Sequence, residues 1–170
     1  MIKFLGSIIV IVSLTLVGWL ASNRVSKKIS YIRSIIEMLE FIKSNILYNK
    51  TTILKLFTIM SKRDNFLELP FLDNFYSDMK SGKSVKDSWQ QSIDLSNLRN
   101  ILDNEEYEYI AKIGNWLGNS SMDGQIANIN LTIEVLKQRL TIIKEYELKY
   151  NKIYKNFGFL FGLAMVILIW

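Results

Sequence analysis

The sequence contains no cysteine and no histidine, and only one of its 170 residues is a proline. Without cysteine the chain cannot form a disulfide, and without either residue it offers no thiolate or imidazole to a metal ion. The lack of histidine also removes the side chain that most often acts as a general acid or base near neutral pH. We therefore predict a protein that is not an enzyme, has no metal site and needs no cofactor.

Apolar residues are concentrated at the two ends of the chain. Residues 4–21 contain no charge, which is close to the ~20 residues that a helix needs to cross a membrane. A cleaved signal peptide is the alternative, but a cut after Ala21 would put Trp19 where a small residue is required. Residues 157–170 are equally apolar and would span only ~21 Å as a helix, so a buried C-terminal core helix is the alternative there.

Basic residues flank both apolar ends on the side of the middle segment, and the chain has a net charge of +5. Because membrane proteins retain basic flanks in the cytoplasm, this distribution predicts a cytoplasmic middle domain. The predicted organisation is an N-terminal transmembrane anchor at 1–22, a helical cytoplasmic domain at 23–155 and a C-terminal transmembrane segment at 156–170. The flanking residues are Arg24, Lys27, Lys28 and Arg33 after the first end, and Lys149, Lys152 and Lys155 before the second.

The middle segment has the apolar periodicity of helices, and no stretch alternates as a strand would. Two long stretches next to the apolar ends carry apolar residues at spacings of four and three, without glycine or proline. They predict two long helices packed antiparallel within one chain, with a coiled coil to another chain as the alternative. Shorter helices are predicted at about 52–60, 70–82, 84–95 and 103–118. The predicted fold is all-α, a six-helix bundle whose first and last helices continue into transmembrane helices.

Several motifs have a simple structural interpretation. Gly82-Lys83-Ser84 looks like the end of a phosphate-binding loop, but Ser77 stands where the first glycine is required and no strand precedes it. We interpret Gly82 as the end of one helix and Ser84 as the cap of the next. The acidic residues 103–108 are explained in the same way by capping and by the helix dipole.

The aromatic and basic residues also favour a structural interpretation. Trp89 and Trp116 occur at helical spacing beside aliphatic residues, so we expect both in the core. Basic residues are interleaved with acidic ones through the middle segment, and no basic stripe carries stacking aromatics. Nucleic acid is therefore not an expected partner.

Four segments carry the motifs of one known family: residues 1–51, Ser81–Ile93, Lys112–Ile129 and 156–170. Together they resemble stage III sporulation protein AB, and the resemblance extends over essentially the whole chain. The residues that carry the family motifs are Gly82, Ser84, Trp89, Gly114, Gly118, Asp123 and Gln125.

The resemblance implies a function as well as a fold. The family is similar to the helical cytoplasmic domain of the F-type inner-membrane platform proteins of type II secretion and type IV pilus systems. It implies a structural platform in the channel complex between mother cell and forespore, required for endospore formation and located in the mother-cell (outer forespore) membrane. The implied partners are other proteins of the stage III operon, including the AA ATPase, together with the membrane and, within the complex, further copies of the chain.

Two other functions are compatible with the residues, a membrane-tethered adaptor or regulator unrelated to secretion and, less in keeping with the composition, a membrane enzyme. A platform needs surfaces for its partners. We expect these on the exposed faces of residues 52–95 and on the turn at 116–125. The candidate contact residues are Lys83, Lys86 and Asp123.

Overall fold

The computed structural model describes the backbone at all positions except 1, 50, 64–65 and 170, and side chains at 13, 23–48, 51–63 and 66–149. The predicted anchors, 1–22 and 156–170, lie outside the described side chains except for Ser13. Within the described residues, no helix has an apolar stretch long enough to span a membrane.

The described backbone is helical and contains no strand, which confirms the all-α prediction. The eight helices found in it are α1 (Ile2–Asn49), α2 (Ile53–Met60), α3 (Phe71–Lys80), α4 (Val85–Asp94), α5 (Leu98–Ile101), α6 (Asn104–Ala111), α7 (Ile113–Trp116) and α8 (Met122–Ile169).

Local signals explain most of these bounds. Ser84 caps α4, where its Oγ accepts from the Asp87 amide at 3.1 Å, and a capping box of Asp103 and Glu106 begins α6. Gly82 follows α3 with φ +91°, a conformation that favours glycine. Each of the six predicted segments therefore contains a helix, and two details of the prediction are wrong.

The first difference is the additional short helix α5, and the second is the interruption of the predicted 103–118 helix at Lys112. In an uninterrupted helix the Ile110 carbonyl would accept from the amide of residue 114. Here it accepts from Trp89 Nε1 at 3.0 Å instead. A tertiary hydrogen bond thus replaces a helical one at the point where α6 gives way to α7.

The chain divides into two compact units, of which residues 30–140 form the larger. In this unit α4 packs against α3 and α7, and α2 packs against α3. Glu40 and Lys137 form a salt bridge at 2.9 Å that joins α1 to α8. The buried positions of these two long helices include much of the predicted apolar periodicity: Ile32, Ile36, Leu39, Ile129, Ile133 and Leu136.

The smaller unit combines residues 1–29 and 141–170. Its described part includes a hydrogen bond from Ser26 Oγ of α1 to Glu147 Oε1 of α8 at 2.8 Å. Ile142, Tyr146 and Leu148 on α8 expose 43%, 59% and 75% of their surface.

Candidate functional site

Trp89 on α4 is the centre of the larger unit's core. Its side chain is fully buried, and three phenylalanine rings surround it with centroids at 5.3 to 6.5 Å in edge-to-face geometry. The rings are Phe57 of α2, Phe71 and Phe75 of α3. The indole N–H is satisfied by the Ile110 carbonyl. The predicted core position of Trp89 is confirmed, whereas Trp116 is only half-buried.

Gly114 allows α7 to lie directly on this tryptophan. A Cβ added at Gly114 would stand 2.7 to 2.9 Å from Trp89 Cβ, Cδ1 and Cγ, closer than non-bonded carbon atoms approach. These are the atoms nearest the α4 backbone, so they cannot swing away. Trp89 and Gly114, both singled out as family-motif residues, are therefore one packing contact.

Gly118 and Gln125 fix the turn between α7 and α8. Gly118 has φ +77°, and a Cβ there would stand 2.5 Å from Ile53 Cδ1. The Gln125 side chain bridges the turn: Oε1 accepts from the Gly118 amide at 3.2 Å, and Nε2 donates to the Ser120 carbonyl at 2.9 Å. One side chain thus satisfies a donor and an acceptor of the same loop, which holds its backbone in one conformation.

The turn between α3 and α4 is held by Lys83. Its Nζ forms a salt bridge with Asp78 at 2.7 Å and donates to Gln91 Oε1 at 2.8 Å. The prediction of this lysine as a partner contact is untested. Its ammonium already joins the two helices, which gives it a structural role.

The surface next to the α7–α8 turn combines apolar and charged side chains. Leu54 on α2 and Met122 at the start of α8 expose 41% and 42% of their surface. Lys86 and Asp123 are exposed at the first turns of α4 and α8. Ile53 and Val85, which precede Leu54 and Lys86 in the chain, both lie close to Gly118 in this turn. Met122 and Asp123 follow the same turn. We call Leu54, Lys86, Met122 and Asp123 the turn surface.

A buried carboxylate joins α6 to α8. Glu106 is fully buried, and its two oxygens accept from the Asp103 amide at 2.8 Å and from Arg139 Nε at 3.1 Å. Arg139 also forms a salt bridge with the exposed Glu105 at 3.0 Å. The predicted cap is confirmed. The pairing with Arg139, 33 positions away, was missed because nothing in the local sequence connects the two helices.

Two further groups of contacts, around Tyr107 and around Glu68, were also missed. The Tyr107 hydroxyl donates to Asp94 at 3.0 Å, and the Arg99 guanidinium lies 4.1 Å from the centre of its ring. Burial, aided by the Asp94 carboxylate, raises the pKa of Tyr107. Ser30 and Ser34 of α1 donate to Glu68 at 2.5 and 3.2 Å. These contacts need residues that are distant in the chain, so no local pattern indicates them.

The motif residues have structural roles in the described part of the chain. Among the residues with described side chains, no three acidic groups converge as they would around a metal ion. Five of the motif residues, Gly82, Ser84, Trp89, Gly114 and Gly118, end, cap or pack helices, and Gln125 holds a turn. Asp123 lies in the first turn of α8, where a carboxylate favours the helix dipole.

The comparisons with known proteins agree on one family. The family model described as stage III sporulation protein AB matches residues 3–170. The stage III sporulation protein AB of Bacillus subtilis (strain 168) is 27% identical to this chain over 173 residues, which cover 99% of each chain. No solved structure matches this one. Since the family match extends over nearly its whole length, the chain belongs to the stage III sporulation protein AB family.

Proposed function

We propose that the chain is a structural platform in the membrane, which holds an assembly ATPase beneath the channel between mother cell and forespore. Family membership supports a role in sporulation, and this single observation carries the proposal. The apolar ends with their basic flanks support a membrane location with a cytoplasmic middle domain. The architectural use of the motif residues favours a structural role over catalysis.

The turn surface is the proposed contact for a partner protein. Gln125 and Gly118 hold the turn in one conformation, so binding to it would cost little ordering entropy. The exposed Leu54 and Met122 offer apolar area, and the exposed Lys86 and Asp123 offer charges of both signs. This pattern of apolar groups bordered by charge is typical of protein interfaces. The proposed partner is the AA ATPase of the stage III operon.

Deletion of the gene tests the sporulation role. We expect the deletion strain to fail to complete forespore development and to recover when the intact gene is restored. Normal spore formation in the deletion strain would refute the platform role. Capture of the tagged full chain from sporulating cells distinguishes the alternative: recovery of signalling proteins without any channel component would instead indicate an adaptor.

Charge reversal tests the turn surface. Lys86→Glu and Asp123→Lys should each reduce recovery of the ATPase, because each places a repulsive charge in the contact. Lys62→Glu and Glu108→Lys are matched controls, since both residues are exposed away from the turn surface, Lys62 in the turn after α2 and Glu108 on α6. ATPase recovery that is equal for all four variants would remove the turn surface from the proposal.

Cysteine labelling tests the membrane arrangement, because the natural chain has no cysteine. Single cysteines at the exposed positions Asn23 and Asn119 should be labelled by a membrane-impermeant maleimide only after the cells are opened. A cysteine added after Trp170 should be labelled in intact cells. Labelling of Asn119→Cys in intact cells would contradict the proposed orientation.

A further inference from the structure

The two compact units of the chain differ sharply in charge. Residues 1–29 and 141–170 hold eight Lys or Arg against two Asp or Glu, a net charge of +6. Residues 30–140 hold thirteen Lys or Arg against fourteen Asp or Glu, a net charge of −1. The basic character of the protein therefore belongs entirely to the unit that includes the apolar ends.

Four of these basic side chains are exposed on the described parts of α1 and α8: Arg24, Lys27, Lys144 and Lys149. The hydrogen bond between Ser26 and Glu147 joins the two helices at this level of the unit. Arg24 and Lys27 come two and five residues after the predicted anchor 1–22. At 1.5 Å per residue this is about 3 and 8 Å along a helix, within the ~8 Å over which a charge acts at physiological salt.

Apolar and aromatic side chains accompany the charges. Tyr146 and Leu148 on α8 expose 59% and 75% of their surface and lie between Lys144 and Lys149 in the chain. Exposed tyrosine and leucine next to lysine are typical of segments that lie at the lipid headgroups, where the ring and the aliphatic chain enter the boundary and the ammonium contacts phosphate.

We propose that Arg24, Lys27 and Lys144, with Tyr146 and Leu148 beside them, form a collar that binds the headgroups of anionic phospholipids. The collar rests on the proposed function, because it requires the apolar ends to lie in a membrane. It adds a lipid specificity that anchoring alone does not supply. An uncharged collar would hold the protein in the bilayer equally well but would select no headgroup.

The magnitude follows from surface electrostatics. Each basic residue near an anionic surface favours association by about fivefold, and the nearby Glu145 and Glu147 reduce this. For the full chain in bilayers of mixed phosphatidylglycerol and phosphatidylcholine, we expect phosphatidylglycerol to associate about five times more strongly at low salt. At 1 M salt, where charges act over ~3 Å, we expect the preference to disappear.

Electron spin resonance with spin-labelled lipids measures this preference as the ratio of association constants for the two headgroups. In the variant with Arg24→Gln, Lys27→Gln and Lys144→Gln the ratio should fall to about two or less. The matched control carries Lys55→Gln, Lys62→Gln and Lys80→Gln. It makes the same change of charge on exposed residues of the larger unit and should keep the ratio of the natural chain.

Two results would overturn the collar: a ratio near one for the natural chain, or an equal loss in both triple variants. Membrane fractionation separates this failure from failure of the proposed function. A chain that sediments with membranes but shows no headgroup preference lacks the collar and keeps its platform role. A chain that does not sediment with membranes contradicts both.

Discussion

Replacing Gly114 by alanine adds one methyl group at the contact between α7 and α4. The new Cβ would lie 2.7, 2.8 and 2.9 Å from Trp89 Cβ, Cδ1 and Cγ. The tryptophan cannot yield to it, because Phe57, Phe71 and Phe75 surround its ring and its indole N–H is bound to Ile110. Relief therefore requires the two helices to separate, which would weaken that hydrogen bond as well.

The expected loss of unfolding free energy is the difference between two effects of the substitution. Adding a methyl group to a filled core costs about 1 to 3 kcal/mol, and the rigid surroundings place this contact at the upper end. Replacing glycine by alanine within a helix stabilises the helix by up to ~1 kcal/mol, which offsets part of this cost. We expect Gly114→Ala to lower the free energy of unfolding by about 2 kcal/mol, or the midpoint of thermal unfolding by about 6 °C for a chain of this size.

Gly124→Ala is the matched control, because it makes the same chemical change in the first turn of α8. Its added Cβ would stand 3.2 Å from Ser121 Oγ, which accepts from the Gly124 amide at 3.2 Å and needs to shift by only a few tenths of an ångström to make room. Thermal unfolding of the full chain in detergent, followed by circular dichroism, should show little change or a small gain for this variant. Gly114→Ala with stability equal to that of Gly124→Ala would refute the packing contact with Trp89.

Three further changes test other contacts of the larger unit. Arg139→Met removes the cationic partner of the buried Glu106 and should cost about 3 kcal/mol in chemical denaturation, whereas Glu105→Gln at the exposed end of the same network should cost less than ~1 kcal/mol; equal losses would contradict the assignment. The buried Ser88 Oγ has no hydrogen-bond partner, so Ser88→Ala should be neutral or stabilise by about 1 kcal/mol, and a clear loss of stability would reveal a partner for the hydroxyl. Burial raises the pKa of Tyr31 above its ordinary value near 10, so the folded state holds the phenol proton more tightly than the unfolded state does. The resulting contribution to the unfolding free energy is complete below pH ~10 and is lost as the pH rises beyond it. Tyr31→Phe should therefore flatten the fall in unfolding free energy between pH 9 and 11, and parallel curves for the two proteins would disprove this.

Much of the helical architecture could be read from local pattern. Ser84 and the Asp103–Glu106 pair begin helices as predicted, because capping involves residues three positions apart. Gly82 ends one for an equally local reason, its positive φ. The alternating spacings of four and three predicted the buried positions of α1 and α8, since they depend only on the 3.6-residue turn of a helix.

The interruption at Lys112 could not be predicted, because its neighbourhood contains no breaker ahead of Gly114. It coincides with a hydrogen bond from the indole of Trp89, 21 residues away in sequence, to the Ile110 carbonyl. The short helix α5 was missed for a different reason, since four residues show no periodicity.

What the sequence by itself determined is the helical class, the caps and the separation of basic charge from the middle segment, since each arises from neighbours along the chain. The sequence identified four residues as family motifs but did not indicate what each of them contacts: Trp89, Gly114, Gly118 and Gln125. Only the tertiary structure decided that Gly114 makes room for Trp89 and that Gln125 holds the turn begun at Gly118. The tertiary structure likewise decided that Arg139 pairs with the buried Glu106. Such contacts join residues that are distant in the chain, and their distances exist only once the helices have packed.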